Sequence, residues 1–365
     1  MNANQKTVRI GIVGAGFARS TQIPGFQNCE GAEVVAIASR NRDHAESVAR
    51  EFNIKHVADT WRELVERDDV DLVSVVTPPA THYEITLAAL THGKAVLCEK
   101  PMAMNVREAE AMTERARQVG VLSLLDHELR FVSSRQKMRA MLHEGVIGKV
   151  RHVEYLFRSD YRGVLDRQWD WWSDIAMGGG TLGAIGSHAI DSFRWALNTN
   201  ISAVCCMLTT HITDRPHKGT GSMRRVTTDD EAKLMFRFGD STLTSDTTGT
   251  ALLSVVESGK YENTLAIYGT RGALKAEEDG KLWHSPGGSG DWRPLDVNQD
   301  KVAPGMKDAS WSKGFTVFAR EIVQALREGR TTVEGAATFE DGYQVQRVLD
   351  AARRSNEMGC FTRVT

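Results

Sequence analysis

The fold is indicated by "TVRIGIVGAGFARS", residues 7–20, where an apolar run ends on Gly11, Gly14 and Gly16 before a helical segment. Glycines allow a tight turn after a strand and let the backbone approach a pyrophosphate. The motif departs from G-x-G-x-x-G at its third position, where Arg19 replaces a small residue. Because a strand and a helix flank the glycines as the motif requires, we predict dinucleotide binding here; the alternative is a purely structural turn.

The same alternation of apolar runs and helical patterns continues to about residue 125. Further predicted strands are 33–39, 71–77, 95–99 and 121–126. Between them, Thr60 and Asn105 each stand three residues before a glutamate, which is typical of a helix N-cap, and Gly120 ends the second of these helices. Continuous apolar strands alternating with helices predict an α/β fold, with an N-terminal Rossmann dinucleotide-binding domain over residues 1–125.

After residue 150 the pattern changes to longer strands with partial alternation. Predicted strands are 149–159, 201–212, 231–238, 241–250 and 262–269. Two helices follow, at 312–328 and 338–356. The sequence therefore predicts a C-terminal α+β domain over residues 126–365, with a large, mostly antiparallel open sheet. We expect this domain to bind substrate and to form a homodimer or homotetramer through its sheet.

Composition narrows the functional classes. The chain has 365 residues, 41% hydrophobic residues and a formal charge of −2. No basic field is present to hold nucleic acid or an anionic membrane, and no apolar run approaches the roughly 20 residues that span a bilayer. The N-terminus lacks a signal-peptide pattern, so we expect a cytoplasmic protein. The five cysteines show no zinc-binding spacing, so no metal site is predicted.

The end of the second strand bears on the choice between NAD and NADP. An acid at this position would bind the ribose 2′-hydroxyl and repel a 2′-phosphate. The chain instead has "ASRNR", with Ser39, Arg40 and Arg42 and no acid before Asp43. Since a guanidinium suits a phosphate in shape and charge, we predict NADP as the cofactor, with NAD as the alternative. The alternative is that Arg40 is an ordinary surface arginine at a strand end.

Three further segments carry a family resemblance: "TPPATHYE" (77–84), "CEKP" (98–101) and "GGGTLGAIGSHAIDSFRW" (178–195). With the glycine turn, they make the chain resemble the Gfo/Idh/MocA family of sugar and polyol oxidoreductases over nearly its whole length. The resemblance implies hydride transfer to or from a carbon that bears oxygen. It also implies the following cofactor-binding residues: Gly14, Gly16, Phe17, Ala18, Ser39, Arg40, Thr77, Pro78, His82, Glu99 and Lys100.

The resemblance makes Lys100 the catalytic lysine, with Glu99 holding the cofactor ribose and Pro101 fixing the turn. Physical reasoning supports this assignment, because ligands gather at the carboxyl ends of parallel strands, where Lys100 follows an apolar run. An ammonium beside a substrate oxygen stabilises the negative charge that accompanies hydride departure. The alternative is a solvated lysine at a strand end.

The glycine-rich segment leads into a helix with a second candidate pair. His188 and Asp191 are three residues apart and therefore share a helix face. Histidine suits the transfer of a hydroxyl proton, and Asp191 could orient the imidazole or bind a substrate hydroxyl. We predict Lys100, His188 and Asp191 as catalytic residues; the alternative for the last two is a buried structural pair.

One position departs from the family pattern. Many members have an aspartate one turn before this histidine, where the present chain has Ala184. Either His188 and Lys100 suffice, or another acid such as Asp160, Asp174 or Asp191 substitutes.

We predict that Lys100, His188 and Asp191 contact the substrate, together with three further residues. Trp172 lies in "DRQWDWWSD" (166–174), whose indoles can stack on sugar C–H surfaces, and Arg158 lies nearby in sequence. His127 is a weaker candidate. The tryptophans could equally pack a lid or a subunit contact.

We therefore expect an NADP(H)-dependent oxidoreductase that acts on a sugar, a sugar derivative or a polyol. Two alternatives belong to other classes: an enzyme that uses tightly bound NAD for transient oxidation during glycoside cleavage, and a nucleotide-responsive regulator without catalysis. A regulator would need no proton-transfer set, so Glu99, Lys100 and His188 argue against it.

Overall fold

A computed structural model describes residues 7–365. They form two compact units: residues up to Val132 with Asp300–Tyr343, and Ser133–Gln299 with Gln344–Thr365. The sequence analysis placed a single domain boundary between residues 125 and 126. The structure differs in that residues 300–343 join the first unit, because the amphipathic pattern of a helix does not reveal which sheet it will cover.

The strands, numbered along the chain, are β1 (Val8–Val13), β2 (Ala32–Ala38), β3 (His56–Ala58), β4 (Leu72–Val75), β5 (Ala95–Cys98), β6 (Ser123–Leu125), β7 (Val150–Arg158), β8 (Ile201–Thr209), β9 (Asp214–Pro216), β10 (Met223–Arg225), β11 (Glu231–Phe238), β12 (Thr244–Ser254), β13 (Glu262–Gly269), β14 (Gly272–Ala276), β15 (Leu282–Pro286), β16 (Arg293–Leu295), β17 (Ala337–Thr338) and β18 (Thr362–Arg363). The helices are α1 (Gly16–Ser20), α2 (Gln22–Gln27), α3 (Arg42–Phe52), α4 (Trp61–Glu66), α5 (His82–Thr91), α6 (Val106–Val119), α7 (Ser133–His143), α8 (Ser187–Leu197), α9 (Ser310–Arg327) and α10 (Phe339–Met358). Within residues 7–365, each helix is too short or too polar to cross a membrane.

The first unit is built on a sheet with the order β17-β6-β5-β4-β1-β2-β3. Strands β1 to β6 pair in parallel, and the short β17 pairs antiparallel with β6. Its strands are almost entirely apolar and buried, as expected for a sheet covered on both faces. The predicted Rossmann arrangement is confirmed, and its carboxyl-terminal edge carries the ends of β1, β4, β5 and β6.

The predicted helix signals of this unit are also confirmed. The side chain of Thr60 accepts a hydrogen bond from the Glu63 amide at 3.1 Å, and that of Asn105 accepts one from the Glu108 amide at 3.1 Å. Gly120 ends α6 in the left-handed region with φ 73°. These local contacts satisfy backbone groups that a helix end would otherwise leave unpaired.

Helix α9 completes the core of the first unit. Phe315, Phe318 and Ile322 lie on one face and are fully buried, each contributing roughly 1.5–3 kcal/mol by burial. The ring of Phe315 meets Phe26 of α2 edge to face, with ring centroids 5.4 Å apart. A Cβ at Gly25 would lie 2.6 Å from the Phe315 ring, so only glycine permits this approach. Helix α9 thereby fixes α2 against the sheet.

The second unit is built on a nine-stranded sheet with the order β16-β15-β14-β13-β7-β12-β11-β8-β18. Only β7 and β12 pair in parallel, so the predicted mostly antiparallel sheet is confirmed. On one face, Phe193 of α8 packs against Tyr155 and Phe236 with ring centroids 6.3 Å and 5.6 Å apart. The sheet thus supports the helix that carries His188.

Candidate active site

The glycine turn after β1 has two different environments. Gly14 has φ 109°, and a Cβ there would lie 2.3 Å from the carbonyl oxygen of Val76, so the turn packs tightly on the chain after β4. At Gly16, a Cβ would meet nothing within 4 Å. The backbone at Gly16 is therefore open to a ligand that requires close approach, which fits the pyrophosphate of a dinucleotide.

The residues after Gly16 explain the departure from the glycine motif. Phe17 is exposed, whereas Ala18 is fully buried and supplies the small residue that packs against the sheet. Arg19 points away from the core and pairs with Glu51 at 2.6 Å. An arginine in the third position of the motif is thus compatible with the turn.

After β2, Ser39 is partly buried and Arg40 is exposed. Arg42 begins α3 and pairs with Glu46 at 2.9 Å and also with Asp59. Within residues 7–365, Arg40 has no such carboxylate partner. Of the two arginines, Arg40 is therefore the one available to a phosphate.

Thr77 and Pro78 follow β4 and are partly buried, and His82 begins α5 and is fully buried. The His82 ring lies with Nε2 2.8 Å from the Thr77 carbonyl oxygen and Nδ1 3.0 Å from that of Pro101. Burial lowers the pKa of His82, while these carbonyls act in the opposite direction. Both ring nitrogens contact backbone, so His82 joins the loop after β4 to the turn after β5.

Glu99 and Lys100 directly follow β5. The Glu99 side chain is buried, and its Oε2 accepts the backbone N–H of Lys100 at 3.2 Å. Its other oxygen accepts the side-chain N–H of Gln22 at 2.9 Å. Burial raises the pKa of Glu99, and the charge of Lys100 opposes this rise. Lys100 itself is half-buried and leaves β5 at the carboxyl edge of the sheet.

Sequence reasoning missed Asp126, which follows β6 beside Glu99. Asp126 is 1% exposed, and its Oδ2 accepts an N–H of Gln22 at 2.8 Å. Burial raises the pKa of Asp126 well above its usual range, and the neighbouring Glu99 and Glu128 act in the same direction. An acid at the end of an apolar run next to "CEKP" was the available signal, since β5 and β6 are adjacent.

In the second unit, Leu182–Gly186 form a π-helical turn that continues into α8. His188 and Asp191 lie on this helix and are 4% and 2% exposed. Ala184 lies inside the π-helical turn. Of the three acids considered as substitutes for an aspartate there, only Asp191 shares the helix with His188.

The other two acids lie outside that helix. Asp160 is exposed in a loop. Asp174 accepts the Ala176 backbone N–H at 3.1 Å and so caps the short 3₁₀ helix Ile175–Met177. Asp191 therefore remains the acid that we associate with His188.

The glycines before the π-helical turn are explained by packing. A Cβ at Gly179 would lie 2.1 Å from the Trp172 carbonyl oxygen, and one at Gly180 would lie 2.5 Å from Oδ1 of Asp229. The other oxygen of Asp229 accepts the Leu182 backbone N–H at 2.7 Å. Asp229 thus caps the segment that leads to His188, and sequence reasoning missed it. Burial raises the pKa of Asp229 to about 6, opposed by the Leu182 hydrogen bond and the Arg353 charge.

We expect Asp229→Asn to stabilise the protein at neutral pH. The pKa of Asp229 is raised on folding, so its contribution to stability is present below the unfolded pKa and is lost as pH rises through about 6. Asparagine stays neutral and can still accept the Leu182 N–H. The gain in free energy of unfolding over wild type should be about 1–2 kcal/mol larger at neutral pH than at about pH 4.5, measured by urea denaturation. An equal difference at both pH values would contradict the assignment.

The three further substrate candidates have different surroundings. The guanidinium of Arg158 is held by Glu257 and Glu262. The Trp172 ring packs edge to face on Tyr161 at 6.0 Å between ring centroids. His127 is 1% exposed and lies in the first unit. Arg158 is therefore already bound by two carboxylates of its own unit.

Comparisons with known proteins agree with this architecture. Residues 8–127 match the model of the oxidoreductase family with an NAD-binding Rossmann fold, and residues 135–275 match the GFO/IDH/MocA C-terminal domain. Levoglucosan dehydrogenase of Pseudarthrobacter phenanthrenivorans is 25% identical over 381 residues, covering 95% of both chains.

Solved structures show the same fold. An oxidoreductase domain protein from Kribbella flavida has a TM-score of 0.87 at 27% identity, covering 99% of this chain and 100% of the other. Levoglucosan dehydrogenase in complex with NADH and levoglucosan has a TM-score of 0.85 at 23% identity, covering 98% and 99%. The chain belongs to the Gfo/Idh/MocA family of oxidoreductases, with that family's NAD-binding Rossmann fold and C-terminal domain.

Proposed function

We propose that this chain is an NADP(H)-dependent oxidoreductase that transfers hydride between the nicotinamide and an oxygen-bearing carbon of a sugar, a sugar derivative or a polyol. The observation that carries the proposal is the position of Lys100. It lies at the carboxyl edge of a Rossmann sheet whose glycine turn is open at Gly16. The relative named levoglucosan dehydrogenase supports the substrate class.

In the proposed mechanism, a bound nicotinamide dinucleotide supplies the acceptor or donor of hydride. The turn at Gly14–Gly16, Thr77 with Pro78, and Glu99 would hold it. The Lys100 ammonium stabilises negative charge on the substrate oxygen. His188 removes the hydroxyl proton during oxidation and returns it during reduction, while Asp191 orients the imidazole or binds a hydroxyl.

Arg40→Ala tests the proposed preference for NADP. Loss of a charge-assisted bond to the 2′-phosphate should lower kcat/KM with NADP by about 10–100-fold and change that with NAD by less than about threefold. Arg42→Ala is the matched control, because Arg42 is bound by Glu46 and Asp59. Equal kcat/KM for the two cofactors in the wild type would reject the preference.

Gly16→Ala should weaken dinucleotide binding by at least about tenfold without loss of stability. The added Cβ meets no protein atom within 4 Å and would occupy the space that the pyrophosphate needs.

Gly14→Ala is the contrasting variant: its Cβ would strike the Val76 carbonyl, and its φ of 109° is strained for alanine. We expect it to lose about 2–4 kcal/mol of stability. Titration calorimetry and thermal melts separate the two effects; unchanged affinity of Gly16→Ala would contradict the pyrophosphate position.

The broadest test is an absorbance screen for reduced nicotinamide, with both cofactors against sugars, polyols and their keto forms. Stoichiometric formation of NADPH with at least one such substrate is the expected result. A cofactor that co-purifies and is not consumed during turnover would favour the glycoside-cleaving alternative.

We also propose a homodimer or homotetramer that forms through the outer face of the second sheet. Met207, Met235 and Leu252 are about half exposed on this face. Exposed apolar side chains that share one face commonly mark a contact between protein chains, whereas single ones do not. A monomeric particle in light scattering at micromolar concentration would refute the proposal.

A further inference from the structure

Four buried polar side chains meet at the carboxyl edge of the first sheet: Gln22, Ser74, Glu99 and Asp126. The amide nitrogen of Gln22 donates one hydrogen to Oε1 of Glu99 at 2.9 Å and the other to Oδ2 of Asp126 at 2.8 Å. The Ser74 hydroxyl donates to the Gln22 oxygen, which orients the amide. Gln22 therefore bridges two carboxyl groups with a single nitrogen.

This bridge holds the two carboxyl groups close together. Because both acceptor oxygens contact the same nitrogen, they lie within about 6 Å of each other. Two ionised carboxylates at that distance, both removed from water, repel strongly. A buried pair of this kind is stabilised when one proton is shared and only one negative charge remains.

The surroundings favour Asp126 as the group that keeps the proton. Glu99 also accepts the backbone N–H of Lys100 and lies next to the Lys100 charge. Asp126 faces the negative charges of Glu99 and Glu128, with Lys100 as the opposing positive charge. Hydrogen bonds to an ionised carboxylate favour the ionised form. Glu99 accepts the Lys100 N–H in addition to the Gln22 N–H, so Glu99 is the charged member of the pair.

We propose that Glu99 and Asp126 share a single proton at neutral pH, that Asp126 carries it, and that Asp126 is thereby a positioning residue for Glu99. The pair places one negative charge beside Lys100 instead of two. Gln22 reaches the pair because α2 is fixed by the contact of Phe26 with Phe315. The inference of a shared proton depends only on the contacts among these buried side chains. The role of that proton in holding Glu99 against a cofactor rests on the proposed function.

Infrared spectroscopy of the full-length protein tests the proton directly. A protonated side-chain carboxyl group has a carbonyl stretch that an ionised carboxylate lacks. At pH 7 we expect this band in the wild type, a shift of the band on labelling aspartate side chains with ¹³C, and its loss in Asp126→Asn. Absence of the band, or a shift with labelled glutamate only, would overturn the inference. The labelling arms need no variant and hold even if Asp126→Asn fails to fold.

Kinetics test the positioning role. Asp126→Leu should raise the KM for the cofactor at least about tenfold, because Glu99 loses its partner. Asp126→Asn, a neutral donor of similar size, should restore the KM to within about threefold of the wild type and change kcat less than KM. If Asn is as damaging as Leu, Asp126 acts as an ionised group and the inference fails. A wild type that shows the infrared band but no oxidoreductase activity would instead reject the proposed function alone.

Discussion

Lys100→Met is expected to lower kcat by at least about 100-fold, with little change in the stability of the protein. Methionine has a similar length but no charge, so the substrate oxygen would lose the ammonium that stabilises its negative charge. Removal of one such group from a preorganised site costs about 10²–10³ in turnover. Since the loss is made in the transition state, kcat and kcat/KM should fall together.

The matched control is Lys94→Met, at the opposite end of the same strand. Lys94 Nζ donates to the carbonyl oxygens of Arg67 and Val70 at 2.6 Å and 2.9 Å. Its loss should lower the melting temperature and leave kcat within about threefold of the wild type. If Lys100→Met turns over as fast as the Lys94 variant, Lys100 has no part in the chemistry.

His188→Asn is expected to lower kcat by at least about 100-fold, because asparagine cannot accept and return a proton as imidazole does. The effect should appear in both directions of the reaction, since the same group removes the proton and returns it. Steady-state kinetics with saturating cofactor, in oxidation and in reduction, measure both.

His143→Asn controls for a general effect on α8. His143 lies on α7, with Nε2 3.2 Å from the Ala196 carbonyl oxygen in the last turn of α8. This variant perturbs the same helix far from its first turn and should keep kcat within about threefold. A His188 variant with nearly normal turnover would show that His188 and Asp191 form a structural pair.

The parts of the fold that sequence reasoning predicted rest on local signals. Thr60, Asn105 and Gly120 cap helices through contacts within four residues, so their types and spacing predict them directly. The position of Lys100 at the end of an apolar strand, on the edge where ligands bind, was also predicted from the sequence, whereas its catalytic role was implied by the family resemblance and stays a prediction. The spacing of apolar residues along the chain, and the turn residues between segments, also predicted a parallel sheet in the first half and a mostly antiparallel sheet in the second.

The parts that it missed depend on contacts between distant residues. Gln22 and Asp126 are 104 positions apart, and Asp229 caps a segment 47 positions earlier. Neither pair forms a motif, because the packing of helices and loops on the sheets brings each pair together. Helix α9 was predicted as a helix, but its packing on the first unit follows from aromatic contacts such as Phe318 on Phe131, with ring centroids 4.5 Å apart.

The central claim is direct hydride transfer between a nicotinamide and a sugar or polyol carbon. It is tested by supplying NADPH deuterated at C4, in each stereochemical form, with the keto form of the substrate that the absorbance screen selects. We predict that one of the two forms delivers deuterium to the carbon that becomes CH–OH, detected by mass spectrometry, and that Lys100→Met slows this delivery at least about 100-fold. Product that forms without deuterium from either form, or NADPH that remains unconsumed while product accumulates, would contradict the claim.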